Sequence, residues 1–278
     1  MSRFLHPGLV IGSLLVLAVL GAAIFAPLIA PFDPAQQDLL APLAPAAWQH
    51  GGSLAHLFGT DTLGRDVLSR VIYASRAAVL VAVLAAAGAG LIGSLLALAA
   101  GYLGGWVDRL VRCAVDVWLA FPPVVLSLLL IAGLGAGVVK VVLAIALVDW
   151  VRFCDELLGG VSAAAQSERT AAARLLGFSH LRTVMLDVLP AVLPLMASLF
   201  VFEMGAAVAV AAVLSFLGFG LGAHQITWGQ MIAVGRLAVF EAPWNLLAPV
   251  VAIIATVAGC NMAGGGLRRA LDVGRRRA

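Results

Sequence analysis

Three acidic residues stand inside or at the ends of long apolar runs, and they are the groups best placed to do chemistry. Glu203 lies well inside the run from Val188 to Phe216. A lone carboxylate in hydrocarbon costs several kcal/mol, so its side chain is expected to face a cavity or a partner. Two interpretations stay open: Glu203 lines a pathway or contacts a cationic solute, or it makes a protonated or hydrogen-bonded contact between helices.

The other two acids each have a basic residue about one helical turn away. Asp116 follows Arg112 by four residues, and Asp149 precedes Arg152 by three. Residues three or four apart are neighbours on a helix, so the spacing predicts two local ion pairs.

The sequence contains none of the common constellations for catalysis or nucleotide binding. The phosphate-binding pattern GxxxxGK[ST] is absent, and the only lysine is Lys140. There is no HExxH zinc pair and no GxSxG nucleophile turn, and the five histidines are dispersed. These absences predict a chain that is not an enzyme and binds neither a metal nor a cofactor.

Composition places these residues in a membrane protein. Hydrophobic residues make up 63% of the 278 residues and charged residues 11%, against about 25% charged residues in a soluble domain. The net charge of +3 comes from basic residues beside apolar runs, which favours membrane topology over nucleic-acid binding. Six apolar runs are interpreted as membrane helices. They cover residues 7–30, 77–102, 114–135, 138–153, 188–216 and 244–263.

The first run raises the alternative of a cleavable signal peptide. It is longer than a signal core of about 7–15 residues, so we expect it to be retained. The segments between runs then predict an organisation in four parts. These are an N-terminal cytoplasmic end with the first span (1–30), an extracytoplasmic segment (31–76), a core with five spans (77–267) and a basic cytoplasmic tail (268–278).

Local patterns predict further structure outside the runs. Thr60 or Asp61 is expected to cap a helix that continues through Arg70. Residues 106–112 are expected to form a short charged turn, and Phe121-Pro122-Pro123 interrupts the third span.

A polar segment at about 155–187 has a pattern of its own. Ala171–Ala173 favour a helix, and Gly177 can end that helix with a positive φ or admit the backbone of a partner. Residues 181–189 are expected to form a second short helix before Pro190.

Several motifs, in order along the chain, resemble one family. The stretch Phe58-Gly-Thr-Asp-Thr-Leu-Gly-Arg-Asp-Val-Leu-Ser-Arg70 is similar to the extracytoplasmic signature of one group of bacterial ABC importer permeases. That group is the dipeptide, oligopeptide and nickel branch, and the likeness is to the shorter "C" partner of each permease pair. Three later stretches resemble further motifs of the family. They are Ala120-Phe-Pro122, 214–220 with Trp228-Gly229, and Asn261 with 266–272.

The segment from Glu168 to Pro190 resembles the "EAA" loop by which such permeases dock on an ATPase. Ala171 stands where the glutamate of that loop often occurs. The resemblance thereby implies a set of ATPase-coupling residues: Glu168, Ala171, Ala172, Ala173, Arg174, Gly177, Leu189 and Pro190. It also implies an extracytoplasmic signature made of Gly59, Thr60, Asp61, Gly64, Arg65, Asp66 and Arg70. Candidate pathway residues are Glu203, Ser215 and Phe216.

The resemblance implies an all-α integral membrane protein with six transmembrane helices, the ABC importer type I permease fold and cytoplasmic N- and C-termini. It implies the bacterial inner membrane as location, with ATP and Mg bound on partner subunits. The implied partners are a second homologous permease, two ATPase subunits, an extracytoplasmic solute-binding protein and membrane lipid.

The implied solute is a dipeptide, an oligopeptide, nickel or a metal chelate. Two other classes of protein remain as alternatives. An ion-gradient-driven secondary transporter predicts inverted repeats, of which the sequence shows no convincing sign. A non-transporting membrane scaffold predicts that no ATPase co-purifies.

Overall fold

The computed structural model describes residues 7–222 and 225–275, and most of these residues are helical. Within them the only extended pairing is an isolated bridge between Thr60 and Asp66. The all-α prediction is therefore confirmed for the described residues. The predicted cytoplasmic residues 1–6 and the last three residues of the basic tail lie outside them.

The helices follow one another with short connections, apart from the long segment between α2 and α3. In chain order they are α1 (Pro7–Ile24), α2 (Ala26–Ile29), α3 (Val67–Leu103), α4 (Gly105–Leu119), α5 (Pro123–Leu134), α6 (Val138–Ala165), α7 (Glu168–Leu175), α8 (His180–Thr183), a π-helical turn (Val184–Val188), α9 (Leu189–Phe216), α10 (Trp228–Gly235), a 3₁₀ turn (Arg236–Ala238) and α11 (Trp244–Arg275).

Four segments are long and apolar enough to cross a membrane: α1, α3, α11 and the stretch His180–Phe216 that joins α8 to α9. The bent pair α4–α5 is a fifth candidate. Helix α6 has 28 residues, which is about 42 Å at 1.5 Å per residue. Its length therefore exceeds the hydrocarbon thickness of about 30 Å, but the charged residues Lys140, Asp149, Arg152, Asp155 and Glu156 set it apart from the segments above.

Helix α3 lies at the centre of the packing. It runs along α6, α9 and α1, and α11 in turn packs on α1 and α9. Small residues make the contact with α6 close. A Cβ atom at Gly93 would lie 2.6 Å from the carbonyl oxygen of Trp150 and 2.9 Å from the backbone nitrogen of Cys154. Small residues that let helix backbones approach are the usual contact in membrane helix packing.

The two ends of α3 contact different parts of the chain. Near its start, the indole nitrogen of Trp228 donates to the carbonyl of Val71 at 3.0 Å. Near its end, the hydroxyl of Tyr102 lies 3.1 Å from Nδ1 of His180, and the guanidinium of Arg174 lies 4.7 Å from the centre of the Tyr102 ring. The structure therefore places α10 at one end of the bundle and α7–α8 at the other.

The prediction of a cap at Thr60 or Asp61 is wrong. Helix α3 begins at Val67, and its cap is Asp66, whose carboxylate accepts a hydrogen bond from the backbone nitrogen of Ser69 at 2.7 Å. The helix thus starts ten residues before the apolar run at 77, because its first turns are stabilised by polar contacts that hydropathy does not register.

The predicted charged turn at 106–112 is also wrong. Gly104 and Gly105, with φ of 65° and 60°, end α3, and the charged residues lie in the regular helix α4. The predicted interruption at Phe121-Pro122-Pro123 is confirmed and is sharp, since α4 and α5 meet at 88°. Proline lacks the N–H that a continuous helix needs, and it disfavours helical geometry in the residue before it.

The predicted break at Pro190 is absent. Helix α8, the π-helical turn and α9 run on without interruption, and Pro190 occupies the first turn of α9. Because the helix is continuous, Pro190 removes one backbone hydrogen bond, and the wider π-helical turn directly before it accommodates its ring. Two other runs extend beyond prediction, since α6 ends at Ala165 rather than near 153 and α11 continues to Arg275 rather than ending near 263.

The close contact at Gly93 gives a first testable expectation. Gly93→Ala should destabilise the folded protein by about 1–3 kcal/mol, because the added methyl must push α6 away. The measurement is thermal unfolding of the purified protein in detergent. Gly21→Ala is the matched control, since a Cβ atom there meets nothing within 4 Å. Equal melting temperatures for the two variants would contradict the close contact.

Candidate functional site

The signature segment is organised around the carboxylate of Asp61. It accepts hydrogen bonds from the backbone nitrogens of Leu63 and Arg65 at 2.9 and 3.0 Å and from Nε of Arg65 at 2.7 Å. Nε of Arg70 lies 3.6 Å from the same carboxylate. One acid thus holds two arginines, and all three side chains are largely buried. The structure therefore brings these three predicted signature residues together. Their ion-paired cluster, called the signature clamp below, has a structural role.

Asp66 forms a second clamp beside the first. Its carboxylate accepts from the backbone and the hydroxyl of Ser69, both at 2.7 Å, and lies 3.0 Å from Nδ1 of His56. The hydroxyl of Ser69 in turn accepts from the backbone nitrogen of Phe32 at 3.0 Å. The start of α3 is thereby tied to the segment that precedes it. His56 was not among the predicted residues, although it lies just before the signature.

The remaining signature residues shape the loop. The hydroxyl of Thr60 donates to the carbonyl of Ala41 at 2.6 Å and accepts from the backbone nitrogen of Ala44 at 2.7 Å. Gly64 has a φ of 71°, and a Cβ atom there would collide with the backbone of Asp38. The signature therefore fastens the chain between α2 and α3 onto itself.

A cavity of about 560 Å³ lies against this clamp. It is called the outer cavity below, because it borders the predicted extracytoplasmic signature. Its walls include Asp61, Arg65 and Arg70 from the signature, and Ser215 and Phe216 from the end of α9. Two of the three candidate pathway residues are thus brought together with the signature, which sequence spacing does not show. Gln225 and Gln230 add polar groups to the same cavity.

The third candidate, Glu203, lines a separate cavity of about 510 Å³ between α4, α6, α9 and α11, which is called the inner cavity below. Its carboxyl contacts that of Asp149 on α6, and both side chains are buried. Glu203 is therefore not a lone acid. The predicted ion pair between Asp149 and Arg152 is wrong, because Asp149 points to the neighbouring helix and Arg152 lines the cavity.

The predicted ion pair between Asp116 and Arg112 is wrong as well. Nε of Arg112 donates to the carboxylate of Asp108 at 2.9 and 3.0 Å. Asp108 and Asp116 stand at equal distances along the chain from Arg112, but an acid that precedes its base on a helix is the better-oriented partner. That orientation rule could have identified the pair from the sequence.

The segment that is predicted to couple to an ATPase, called the coupling unit below, is a compact helical unit at the far end of the bundle. The hydroxyl of Ser167 caps α7, and Nε of Arg169 donates to Asp187 at 2.9 Å, which fastens α7 to the π-helical turn. Gly177 has a φ of 79°, as predicted, and a Cβ atom there meets nothing within 4 Å. Ala173 is buried, whereas the other predicted residues of α7 face outward. They are Glu168, Ala171, Ala172 and Arg174.

Sequence reasoning missed the most exposed apolar residues of this unit. Leu175 and Leu176 are 89% and 75% exposed and stand just before Gly177. Two consecutive leucines beside a polar stretch were the available signal. Leu189 and Pro190 belong to α9, beyond the short helices α7 and α8.

An all-helical chain with several apolar helices, two polar cavities and no nucleotide-binding pattern has the features of a membrane permease. Residues 89–277 match the family described as binding-protein-dependent transport system inner membrane component, and residues 3–46 match the N-terminal transmembrane domain of oligopeptide transport permease C. The chain belongs to the binding-protein-dependent transport system inner membrane component family.

Relatives of known name align along nearly the whole chain. The dipeptide transport system permease protein of Alkalihalophilus pseudofirmus is 34% identical over 95% of this chain and 84% of its own length. The probable D,D-dipeptide permease of Escherichia coli is 35% identical over 96% and 87%. The glutathione permease of Shigella dysenteriae is 35% identical over 94% and 84%.

Family membership establishes the class of function. The protein is the permease subunit of an ABC importer in the bacterial inner membrane, where it crosses the bilayer several times. It is not an enzyme, since ATP hydrolysis belongs to partner subunits. Such importers work with ATPase and solute-binding partners in general. The alternatives of a secondary transporter and a scaffold are thereby set aside.

Proposed function

We propose that this chain imports short peptides, as one of two homologous permeases that enclose a common pathway. The observation that carries this proposal is the set of relatives named for dipeptides and glutathione, which align with 94–96% of the chain. A nickel or metal-chelate solute has less support. Within the described ranges no three histidine, cysteine or acidic residues are grouped so as to hold a metal ion.

We propose six transmembrane segments: α1, α3, the bent pair α4–α5, α6, α8 with α9, and α11. Support for termini on one side comes from the packing of α1 against α11. A Cβ atom at Gly266, late in α11, would touch Leu9 at the start of α1. Basic residues cluster at this end of the bundle, which favours a cytoplasmic location under the positive-inside rule. They are Arg109, Arg112, Arg169, Arg174, Arg182 and Arg268.

In this topology the unit made of α7, Gly177 and α8 docks on an ATPase subunit. Support comes from the exposed Leu175 and Leu176, since neighbouring exposed apolar side chains mark contact surfaces. The ion pair of Arg169 with Asp187 joins α7 to the turn that continues into α9. Movement of the ATPases would then be transmitted through α9 to both cavities, because residues of α9 line each of them. ATP and Mg bind on those partners and not on this chain.

The outer part of the chain receives the solute. Residues 31–76 and 217–243, of which 223 and 224 lie outside the described residues, form the surface for the solute-binding protein and the outer gate. Support comes from the outer cavity, where Ser215 and Phe216 adjoin the signature. Transport needs two packings of the helices, one open to each side, whose balance is shifted by ATP and by the loaded binding protein.

The solute is tested by the ATPase activity of the complete importer in proteoliposomes. The binding protein is supplied empty, with a dipeptide, or with a nickel chelate. We expect stimulation by the dipeptide-loaded protein only. Stimulation by the nickel chelate alone would replace peptide with metal as the solute, and the permease assignment would stand.

A further inference from the structure

The side chain of Tyr102 joins α3 to both short helices of the coupling unit. Its hydroxyl lies 3.1 Å from Nδ1 of His180, the first residue of α8, and the two rings meet edge to face. The guanidinium of Arg174, in the last turn of α7, lies over the Tyr102 ring at 4.7 Å from its centre. Tyr102 therefore contacts the unit on both sides of the turn at Gly177.

Other contacts of the coupling unit lead to α6 and α9. The hydroxyl of Ser167, which caps α7, donates to the carbonyl of Ala164 at the end of α6 at 2.8 Å. The ion pair of Arg169 with Asp187 leads to α9 through the π-helical turn. Among the described residues of α3, Tyr102 alone forms a hydrogen bond or a ring contact with α7 or α8. The polar and aromatic link between α3 and the unit therefore consists of one side chain.

Helix α3 can carry a displacement along the whole bundle. Its 37 residues form one continuous helix of about 55 Å, at 1.5 Å per residue. Arg70, in its first turn, belongs to the signature clamp. Near its other end the helix is packed tightly, since a Cβ atom at Gly101 would lie 2.7 Å from Cγ1 of Val161 on α6. A rigid element of this kind can connect two sites that lie far apart.

We propose that Tyr102 is a positioning residue, which joins the movement of the coupling unit to α3 and thereby to the signature clamp. This inference rests on the proposed docking of the unit on an ATPase subunit, and it adds a second route beside the one through α9. Because Tyr102 contacts α7 and α8 together, a movement of the docked ATPase displaces the end of α3. The start of α3 then shifts the balance between two arrangements of the segment between α2 and α3.

The ring and the hydroxyl of Tyr102 make separate contacts that can be removed one at a time. A guanidinium over an aromatic face is held by a cation–π interaction, which phenylalanine at this position would keep. The hydroxyl can donate to or accept from an imidazole nitrogen, and phenylalanine would lose this contact. Tyr102→Phe therefore removes the hydrogen bond to α8 and keeps the contact with α7, whereas Tyr102→Leu removes both.

Amide hydrogen exchange of residues 31–66 in the purified importer complex measures whether the movement arrives at the other end of α3. It is recorded with and without a non-hydrolysable ATP analogue, so no solute is needed. The response is the change in exchange rate that the analogue causes. We expect Tyr102→Phe to reduce the wild-type response about threefold and Tyr102→Leu about tenfold, the scale of one and of two such contacts. Co-purification of the ATPases should be unchanged in both variants.

A second pair of variants separates this role from a merely structural one. His180→Asn keeps an acceptor near the position of Nδ1, so the response should stay close to that of the wild type. His180→Leu should reduce the response as Tyr102→Phe does. The double variant should lose no more than either alone, because both changes remove the same contact. Asp108→Asn disrupts an exposed ion pair on α4, outside the coupling unit, and is the control with an unchanged response.

A normal response in Tyr102→Leu, with its ATPases bound, would overturn the role of Tyr102 and leave the docking of the unit standing. A wild-type complex without any response would overturn that role as well. Release of the ATPases from Tyr102→Leu would make the residue a support of the docking surface, and its role in transmission would be wrong. Gly177→Asp distinguishes the two proposals. If that variant keeps its ATPases, docking by this unit is wrong, and the role of Tyr102 is wrong with it.

Discussion

Replacing Gly177 with aspartate is expected to release the ATPase subunits from a permease that still folds. Gly177 ends α7 with a φ of 79° on an open surface, beside the exposed Leu175 and Leu176. A side chain at that φ is strained, and an added carboxylate must be desolvated at the docking surface. We expect solute uptake to fall to background. Co-purification of the ATPases with the permease measures the cause directly.

The control for this variant is Gly51→Asp. Gly51 has a φ of 81° and is likewise uncrowded, but it belongs to the segment between α2 and α3 at the opposite end of the bundle. It reproduces the backbone strain and the added charge without touching the coupling unit. Because Gly51 belongs to the proposed surface for the solute-binding protein, the readout of this control is co-purification of the ATPases, which should be unchanged, and not solute uptake. A Gly177→Asp complex that retains its ATPases and normal uptake would show that docking occurs elsewhere.

Replacing Asp61 with asparagine is expected to cost about 3 kcal/mol of stability. The change leaves Arg65 and Arg70 without their shared carboxylate, and removing one partner of a largely buried ion pair leaves an uncompensated charge. The clamp on the segment between α2 and α3 should loosen. Thermal unfolding measures the cost, and limited proteolysis of residues 31–66 locates it.

Asp108→Asn provides the comparison for an exposed pair. Arg112 and Asp108 are also an i,i+4 pair, but their side chains are 52% and 27% exposed. Exposed ion pairs contribute about 0–1 kcal/mol, so this variant should unfold almost like the wild type. Equal losses for Asp61→Asn and Asp108→Asn would mean that burial does not strengthen the signature clamp.

The sequence alone was sufficient for the class of protein. A membrane chain follows from long apolar runs, because a soluble fold has no means of burying them all. The cost of an acid in hydrocarbon singled out Glu203, and the glycine at 177 has the positive φ that its place after an alanine helix predicts. The permease family was indicated by several motifs that occur in the order typical of the family, whereas a single motif would have been weak evidence.

Helix boundaries were predicted less well, for a local physical reason. Hydropathy marks where a chain can cross lipid, whereas helices end where backbone hydrogen bonds end. Helix α3, which is capped by Asp66, therefore starts ten residues before its apolar run. Pro190 lies within a continuous helix, although a proline was expected to end it.

Only the tertiary structure decided which charges meet. Spacing placed Asp149 beside Arg152, but α6 turns the acid toward Glu203 on α9, a contact between residues far apart in sequence. Likewise, Asp61, Arg65 and Arg70 adjoin Ser215 and Phe216 only because α3 and α9 pack side by side. Periodicity along a single helix determines which residues share a face. Which neighbouring helix that face meets depends on the packing of the whole bundle.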